Sequence, residues 1–391
     1  MAEARLRIPR QEFEQRVRKI QEIMNAHDID LLVTHACECE SANVRYLSGF
    51  WAVFDFAGVL VPREGNPILL TGGPESYDFA KQFSEIEDVR IHPMYVETAA
   101  PEWDKPTEEI NFGSIVEEFH QHFPIKTIGI ADSNIIPYQI MKDLQKGAPD
   151  AEYKEAQWVI NKVREIKTEN EIALLKEAYR ITEQAFIDSL DTIKPGVREW
   201  EFEAAWRASA YKMGAEGTSY PIWITSGDTT FQSLCRSSDK LIVDNSMVQI
   251  TVGAKYNGYC GNFCRAVVLG EIPKRHEYMI NVARECVDET VELIKPGVSF
   301  ASVYDKFQQR LAKNGFSGLN LYGPAHGTGM QEVECAWVDN RTDKVFQSGM
   351  VFNVDIWIAD HQYGVRIEDG LYVTDSGVEL FASYPREMIR L

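Results

Sequence analysis

The sequence predicts an α/β domain followed by an α+β domain made of two related halves, with antiparallel sheets and helices outside. Three observations carry this. Short apolar runs alternate with amphipathic helical patterns over the first part of the chain. An Ile-Lys-Pro-Gly-Val turn occurs twice in the second part, at Ile193–Val197 and Ile294–Val298. Two long alternating strand pairs follow these turns, the first joined by Asn257-Gly258. The 391 residues accommodate two domains at roughly 150 residues each.

The first helix is read over residues 12–25, where Phe13, Val17, Ile20 and Ile23/Met24 recur at helical spacing. Apolar runs at 31–34, 57–62, 67–71 and 127–131 read as strands, with a further helix over 115–123. This alternation defines an α/β domain over 1–155. A long helical stretch begins near Glu155 and carries Ile172, Leu175, Ala178/Tyr179 and Phe186 on one face. It opens the second domain, 156–391.

Each half of that domain reads as helix, Ile-Lys-Pro-Gly-Val turn, helix and antiparallel strands, the second helices covering 201–213 and 302–313. Lys-Pro-Gly is a common helix stop. Five consecutive residues with the same elements around them nevertheless point to a duplication. Two halves about a pseudo-twofold axis leave a cleft between their sheets, a usual place for a site.

In the first strand pair, Asn257-Gly258 favours a two-residue type I′ turn. That register sets Thr251 opposite Cys264 and Gly253 opposite Asn262, so Gln249, Thr251, Asn262 and Cys264 share one face. A polar face without lysine or glutamate suits a cleft better than solvent. The loop Tyr322-Gly-Pro-Ala-His-Gly-Thr-Gly brackets His326 with glycines, a sign of close backbone approach. The last two strands bury Asp355 and Glu368 among apolar residues, which is costly unless they are paired or ligating. An Arg366–Asp355 bridge is the structural alternative.

Composition narrows the partners. Lys plus Arg is 40 against 59 Asp plus Glu, a net charge of -19 spread along the chain, which disfavours nucleic acid. No apolar run approaches the roughly 20 residues that span a bilayer, so no membrane partner is expected. The charged N-terminal residues run into a helix pattern without a secretory signal, and a cytoplasmic location is expected. Seven cysteines make an odd count without framework spacing, as reduced thiols do. Cys37/Cys39 and Cys260/Cys264 lack the CxxC spacing of a zinc site.

The helix start Arg164-Glu-Ile-Lys-Thr-Glu-Asn-Glu-Ile, both Lys-Pro-Gly turns, Gly253-Ala-Lys-Tyr-Asn-Gly-Tyr, Arg265, the His326 loop and Gly364-Val-Arg-Ile-Glu-Asp extend across the chain. Together they resemble the creatinase, prolidase and aminopeptidase P superfamily, whose pita-bread fold is shared with methionine aminopeptidase. In the metallopeptidase branch, the resemblance implies five ligands for two metal ions, at positions that read Thr251, Asn262, His326, Asp355 and Glu368. Two of these are neutral, which removes anionic oxygens that a divalent pair needs. The positions of the family's proton-handling histidines read Leu234 and Val333. The creatinase branch, which hydrolyses a C–N bond without metal, shares the neutral hairpin positions. Its catalytic histidine is again replaced by Leu234, and its substrate-binding glutamate by Cys264.

The expectation is therefore a hydrolase, acting without a metal cofactor on a C–N bond in a small polar nitrogen compound. His326 would shuttle the proton, while Asp355 and Glu368 orient it or activate water. Asp55, Thr251, Asn262, Cys264, Glu334 and Arg366 are the expected substrate-binding residues. One alternative is a proline-specific peptidase of prolidase or aminopeptidase P type with a reduced metal site, a single divalent ion on His326, Asp355 and Glu368. A third is a catalytically silent binding protein. The resemblance further implies a homodimer in which the N-terminal domain reaches the partner's cleft through residues 45–56. Asp55 falls where creatinases carry a carboxylate-holding arginine, which implies a cationic group on the substrate. The alternative for Asp55 is a cap on a turn within the aromatic segment 45–56.

Overall fold

The computed structural model describes residues 5–96, 111–334 and 337–391. These fall into two compact units, one of Ile8–Arg164 and one of residues 5–7 with Glu165–Leu391.

The N-terminal unit is built on a six-stranded sheet in the order Asp88–Ile91, Ile68–Thr71, Ala57–Pro62, Leu31–Val33, Thr127–Ile130, Glu152–Glu155. Ala57–Pro62 runs antiparallel to both neighbours, and the remaining pairs are parallel. Leu31, Val33, Leu60, Ile68 and Leu70 pack with Phe112, Ile115, Ile140 and Leu144 from two helices, the α/β layering expected from alternating runs. The helix read at 12–25 spans Arg10–Ala26 and buries Phe13, Val17, Ile20 and Met24.

The helical stretch that begins near residue 155 is two helices, and the unit boundary lies nine residues beyond the expected one. Gln157–Arg164 buries Val159, Ile160 and Val163 and packs against Arg10–Ala26, and Arg164 Nη1 donates to Asn43 Oδ1 at 2.7 Å. The helix Glu169–Ser189 then starts afresh. Thr168 accepts from the Glu171 backbone N–H while the Glu171 side chain accepts from that of Thr168, a reciprocal cap that sets a new N-terminus.

In the C-terminal unit the duplication is matched bond for bond. Gly196 N–H donates to Ile242 O and Gly297 N–H to Phe346 O, both at 2.9 Å. Ile242 N–H returns to Val197 O at 2.8 Å and Phe346 N–H to Val298 O at 2.9 Å. Both turn glycines adopt left-handed φ, 88° and 84°, which a side chain would strain. Helix Glu169–Ser189 backs the first hairpin, Ser246–Tyr256 with Tyr259–Leu269, and helix Lys274–Leu293 backs the second, Val351–Ala359 with Gly364–Val373.

The halves do not leave a cleft between two separate sheets. Their hairpins join through Tyr259–Leu269 and Gly364–Val373, with Cys264 opposite Glu368, in one nine-stranded sheet. Each hairpin would otherwise expose an unpaired edge, and pairing edge to edge satisfies those backbone groups. The first hairpin has the expected register, with Thr251 opposite Cys264 and Gly253 opposite Asn262. Its turn has φ of 46° at Asn257 and 89° at Gly258, as a type I′ turn requires.

Candidate active site

Strand pairing assembles the site row by row. Thr251 lies opposite Cys264, Cys264 opposite Glu368 and Glu368 opposite Asp355, which sets four side chains side by side across four strands. The next row carries Asn262 and Asn353, and the short strand Ala325–Gly327 places His326 opposite Asn353. Alternation turns these residues away from the helix-backed core that holds Val354, Ile356 and Ile367.

His326, Asp355 and Glu368 are buried, and one ligand atom from each falls within a 4.8 Å set. His326 Nε2 lies 3.9 Å from Glu368 Oε1 and 3.7 Å from Glu332 Oε1. His326 Nδ1 is 3.0 Å from Gly327 O. A carbonyl only accepts, so in the neutral ring Nδ1 carries the proton and Nε2 presents its lone pair to the carboxylates. Trp337 packs against the ring at 4.9 Å between centroids. Asn353 Nδ2 donates to Glu368 Oε1 at 2.8 Å, and Tyr179 OH donates to Asn353 Oδ1, so a buried relay fixes the glutamate.

Five buried atoms of this cluster have no hydrogen-bond partner: His326 Nε2, Asp355 Oδ1, Glu368 Oε2, Asn262 Oδ1 and Arg366 Nε. One such atom costs about 1–3 kcal/mol. Five in one place mark where a ligand's atoms belong.

Electrostatics point the same way. Burial, and next the neighbouring Asp355 and Glu332, push the Glu368 carboxyl well above the ordinary carboxylate range, with Arg366 pulling against them. Burial also raises Glu332, opposed by His326. Arg366 donates from Nη2 to Tyr322 OH at 2.7 Å and Ser233 O at 3.2 Å, and sits among the rings of Trp223, Trp357 and Tyr322. Its Nε lies 3.5 Å from Asp355 Oδ1. The Arg366–Asp355 contact stated as the structural alternative is therefore present as an ion contact, too long for a hydrogen bond.

The other expected site residues divide. Thr251 Oγ1 and Cys264 Sγ are hydrogen-bonded at 3.1 Å, Gln249 Nε2 donates to Cys264 Sγ at 2.8 Å, and burial raises the thiol's pKa. These residues form a neutral, hydrogen-bonded stretch beside Glu368 and Asp355, with Thr251 and Cys264 in the same row. Asn262 Nδ2 donates to Glu332 O at 3.3 Å. Glu334, expected to bind substrate, is instead locked to Lys167 at 2.7 Å, with both side chains 2% exposed. Asp55 does not cap a turn of its own aromatic segment but ties down the start of helix Pro74–Phe83: Oδ2 accepts from Gly73 N at 3.0 Å and Ser76 Oγ at 2.5 Å. A Cβ on Gly72 would meet that carboxylate at 2.2 Å. Leu234 is 76% exposed.

Sequence reasoning missed Glu332, Tyr322, Asn353 and Tyr179. Glu332-Val333-Glu334 read as an extended run puts both glutamates on one face, and only the observed bend at residues 331–333 separates them.

A buried histidine–carboxylate set on a duplicated antiparallel sheet, in a chain whose first unit is an α/β fold, defines a hydrolase of the pita-bread class. The profile of metallopeptidase family M24 matches residues 173–375, and that of the creatinase/prolidase N-terminal domain matches 16–166. The chain belongs to metallopeptidase family M24. It is 27% identical over 377 residues to the Xaa-Pro dipeptidase of Pyrococcus horikoshii, covering 96% of this chain and 99% of that protein. It is 26% identical to an uncharacterized peptidase of Bacillus subtilis, over 90% and 94% of the two chains. The crystal structure of the prolidase from Pyrococcus horikoshii superposes with a TM-score of 0.82 at 26% identity, covering 96% of this chain and all (100%) of that one. A structure of Xaa-Pro dipeptidase from Bacillus anthracis shares the fold at TM-score 0.83 and 24% identity, over 97% and 100%.

The donor set fits one divalent cation. Nε2 of His326 and the free oxygens of Asp355 and Glu368 are the atoms left without partners, a nitrogen and carboxylate set suited to a divalent transition metal. A second ion does not fit. Thr251 and Asn262 bring no charge, Thr251 Oγ1 is engaged by the Cys264 thiol, and the Arg366 cation already stands beside Asp355.

Proposed function

We propose that this chain is a cytoplasmic hydrolase of the amide C–N bond in small peptides, of the Xaa-Pro peptidase type, working with one divalent cation on His326, Asp355 and Glu368. The observation that carries this reading is the convergence of one ligand atom from each of three buried residues within 4.8 Å, each residue also keeping a buried polar atom without a hydrogen-bond partner. The Xaa-Pro dipeptidases among the relatives supply the substrate class.

When bound, the ion supplies Lewis-acid polarisation of the scissile carbonyl and a more acidic water. The chain's own groups hold the geometry. Gly327 O fixes the His326 tautomer, the Tyr179–Asn353 relay orients Glu368, and the three rings around Arg366 exclude water from the guanidinium beside Asp355. With Leu234 and Val333 at the former histidine positions, the proton for the departing nitrogen falls to the carboxyl groups of the site.

Metal-independent cleavage of a small C–N compound, the first expectation from the sequence, retains one favouring observation. Arg366 lies beside Asp355 while burial raises the Glu368 pKa, which favours an acid next to a fixed charge without an ion. Turnover on a panel of Xaa-Pro dipeptides and small guanidino acids, with and without EDTA and added Mn²⁺, decides between the readings. Dipeptide turnover lost in chelator and restored by the ion supports the proposal. Chelator-insensitive turnover supports the metal-independent reading, and no turnover supports a binding protein.

The working unit is proposed to be a homodimer. Val53 and Phe54, at the end of the aromatic segment, are 45% and 65% exposed, an apolar tip suited to a partner surface. Light scattering at micromolar concentration should show a dimer, and a monomer would contradict it.

Among the described residues, no helix is long and apolar enough to cross a membrane.

A further inference from the structure

We propose that Glu332 is a fourth ligand of the cation centre, a carboxylate supplied by the loop after His326 in place of the charge missing from the first hairpin. The inference rests on the single-cation reading above and adds a ligand to it.

Charge balance is the first argument. A divalent ion on Asp355 and Glu368 would share Asp355 with Arg366, whose Nε is 3.5 Å from Asp355 Oδ1. One carboxylate is then left largely to itself against two positive charges. Thr251 and Asn262 add none. Glu332 is the further carboxylate facing His326, with its Oε1 3.7 Å from Nε2.

Distance is the second. Ligands bonded to a zinc-sized ion at about 2.0–2.2 Å stand about 3.0–3.5 Å apart at octahedral to tetrahedral angles. The observed 3.7 Å between Glu332 Oε1 and His326 Nε2 closes to that range with a small side-chain rotation. Glu332 is free to make it: among the described residues its carboxylate contacts no cationic side chain except His326. The site is not merely an acidic cluster, because His326 Nε2, Glu368 Oε2 and Asn262 Oδ1 are all buried there without partners, in residues 0%, 1% and 0% exposed.

The third argument is how the loop is held. Asn262 Nδ2 donates to Glu332 O, and Cys260 N–H donates to Gly329 O at 2.7 Å. The loop is thus fastened to the first hairpin at the place where the family's aspartate is missing. Its far end is pinned by Glu334 N–H to Gly327 O at 2.9 Å and by the buried Lys167–Glu334 pair. Asn262 replaces a ligand with a clamp, and the clamp presents another carboxylate to the same space.

The test is cation affinity, measured by calorimetry and by competition with a fluorescent chelator using Mn²⁺ and Zn²⁺, on the full chain and its Glu332→Gln, Glu332→Asp and His326→Ala variants. Glu332→Gln should weaken binding at least tenfold, Glu332→Asp should weaken it less, and His326→Ala should abolish it. The metal-free Glu332→Gln protein should melt at or above the wild-type temperature, because a like charge has been removed from the cluster. Equal affinity in wild type and Glu332→Gln, with binding lost in His326→Ala, overturns the role of Glu332 and leaves the centre standing. No binding by wild type overturns both.

Discussion

The two hairpins of the C-terminal sheet follow one plan, but only the second brings carboxylates to the His326 cluster. In the first, Thr251, Cys264 and Gln249 bond to one another, leaving a single unpartnered oxygen on Asn262. In the second, Asp355 and Glu368 are buried with unpartnered oxygens beside His326. Duplicated halves need not share chemistry equally. Four buried carboxylates in adjacent positions repel strongly, and neutralising those of one hairpin relieves that repulsion while its hydrogen-bonded stretch keeps the register.

The largest expected effect comes from removing the second half's donors. His326→Ala should lower hydrolysis by about 100-fold or more with far-UV circular dichroism unchanged. Activity within threefold of wild type would show that the second hairpin is not the reactive half.

Next in size is the support behind the loop. Lys167→Met takes from the buried Glu334 the ammonium it is paired with and should cost about 3–5 kcal/mol in denaturant unfolding. The Lys167→Met/Glu334→Leu double variant should recover most of it. A single variant as stable as wild type would remove this pair as the loop's anchor.

The pH dependence of the metal-free chain sharpens the comparison. Glu368 and Glu332 have folded pKa values raised above the ordinary 4.5, chiefly by burial. Their stabilising contribution is full below about pH 4.5 and is lost as pH rises through the raised values. Buried His35 and His276 act oppositely. Burial lowers each from 6.5 to about 4, so their contribution, roughly 3 kcal/mol apiece at full extent, is present above 6.5 and lost as pH falls toward 4. Melting of Glu368→Gln against wild type isolates the carboxyl effect, and the variant's advantage should grow with pH and disappear when Mn²⁺ is added. An advantage independent of pH would place the shift elsewhere.

The smallest effect tests a residue outside the comparison. Asp55→Ala removes the cap on helix Pro74–Phe83 and should cost about 1–2 kcal/mol of stability. Turnover should change less than twofold, whereas a tenfold rise in KM would return Asp55 to the substrate.

What the sequence disclosed follows from how local each signal is. The type I′ turn at Asn257-Gly258 and the glycines of both Lys-Pro-Gly turns are conformational requirements of single residues, so the hairpin register and the duplication were readable. His326, Asp355 and Glu368 stood out because histidine between glycines and carboxylates in apolar strands need a reason. The seam between the halves was not readable, since the pairing of Cys264 with Glu368 joins strands far apart in sequence and leaves no periodic trace. Glu334 was read as a site residue and Glu332 passed over because a bend, invisible to alternation, sets Glu332 beside His326 and Glu334 against Lys167. Asp55 was drawn to the site by resemblance, while its partners Gly73 and Ser76 are set by the local fold.

The central claim, one hairpin bringing carboxylates to the site and therefore one ion, is tested most directly by counting ions. Chain purified without chelator, equilibrated with Mn²⁺ or Zn²⁺ and freed of excess, should hold one ion per chain by elemental analysis. Anomalous diffraction should place that ion between His326 Nε2 and the free oxygens of Asp355 and Glu368. Two ions per chain, or none, would contradict it.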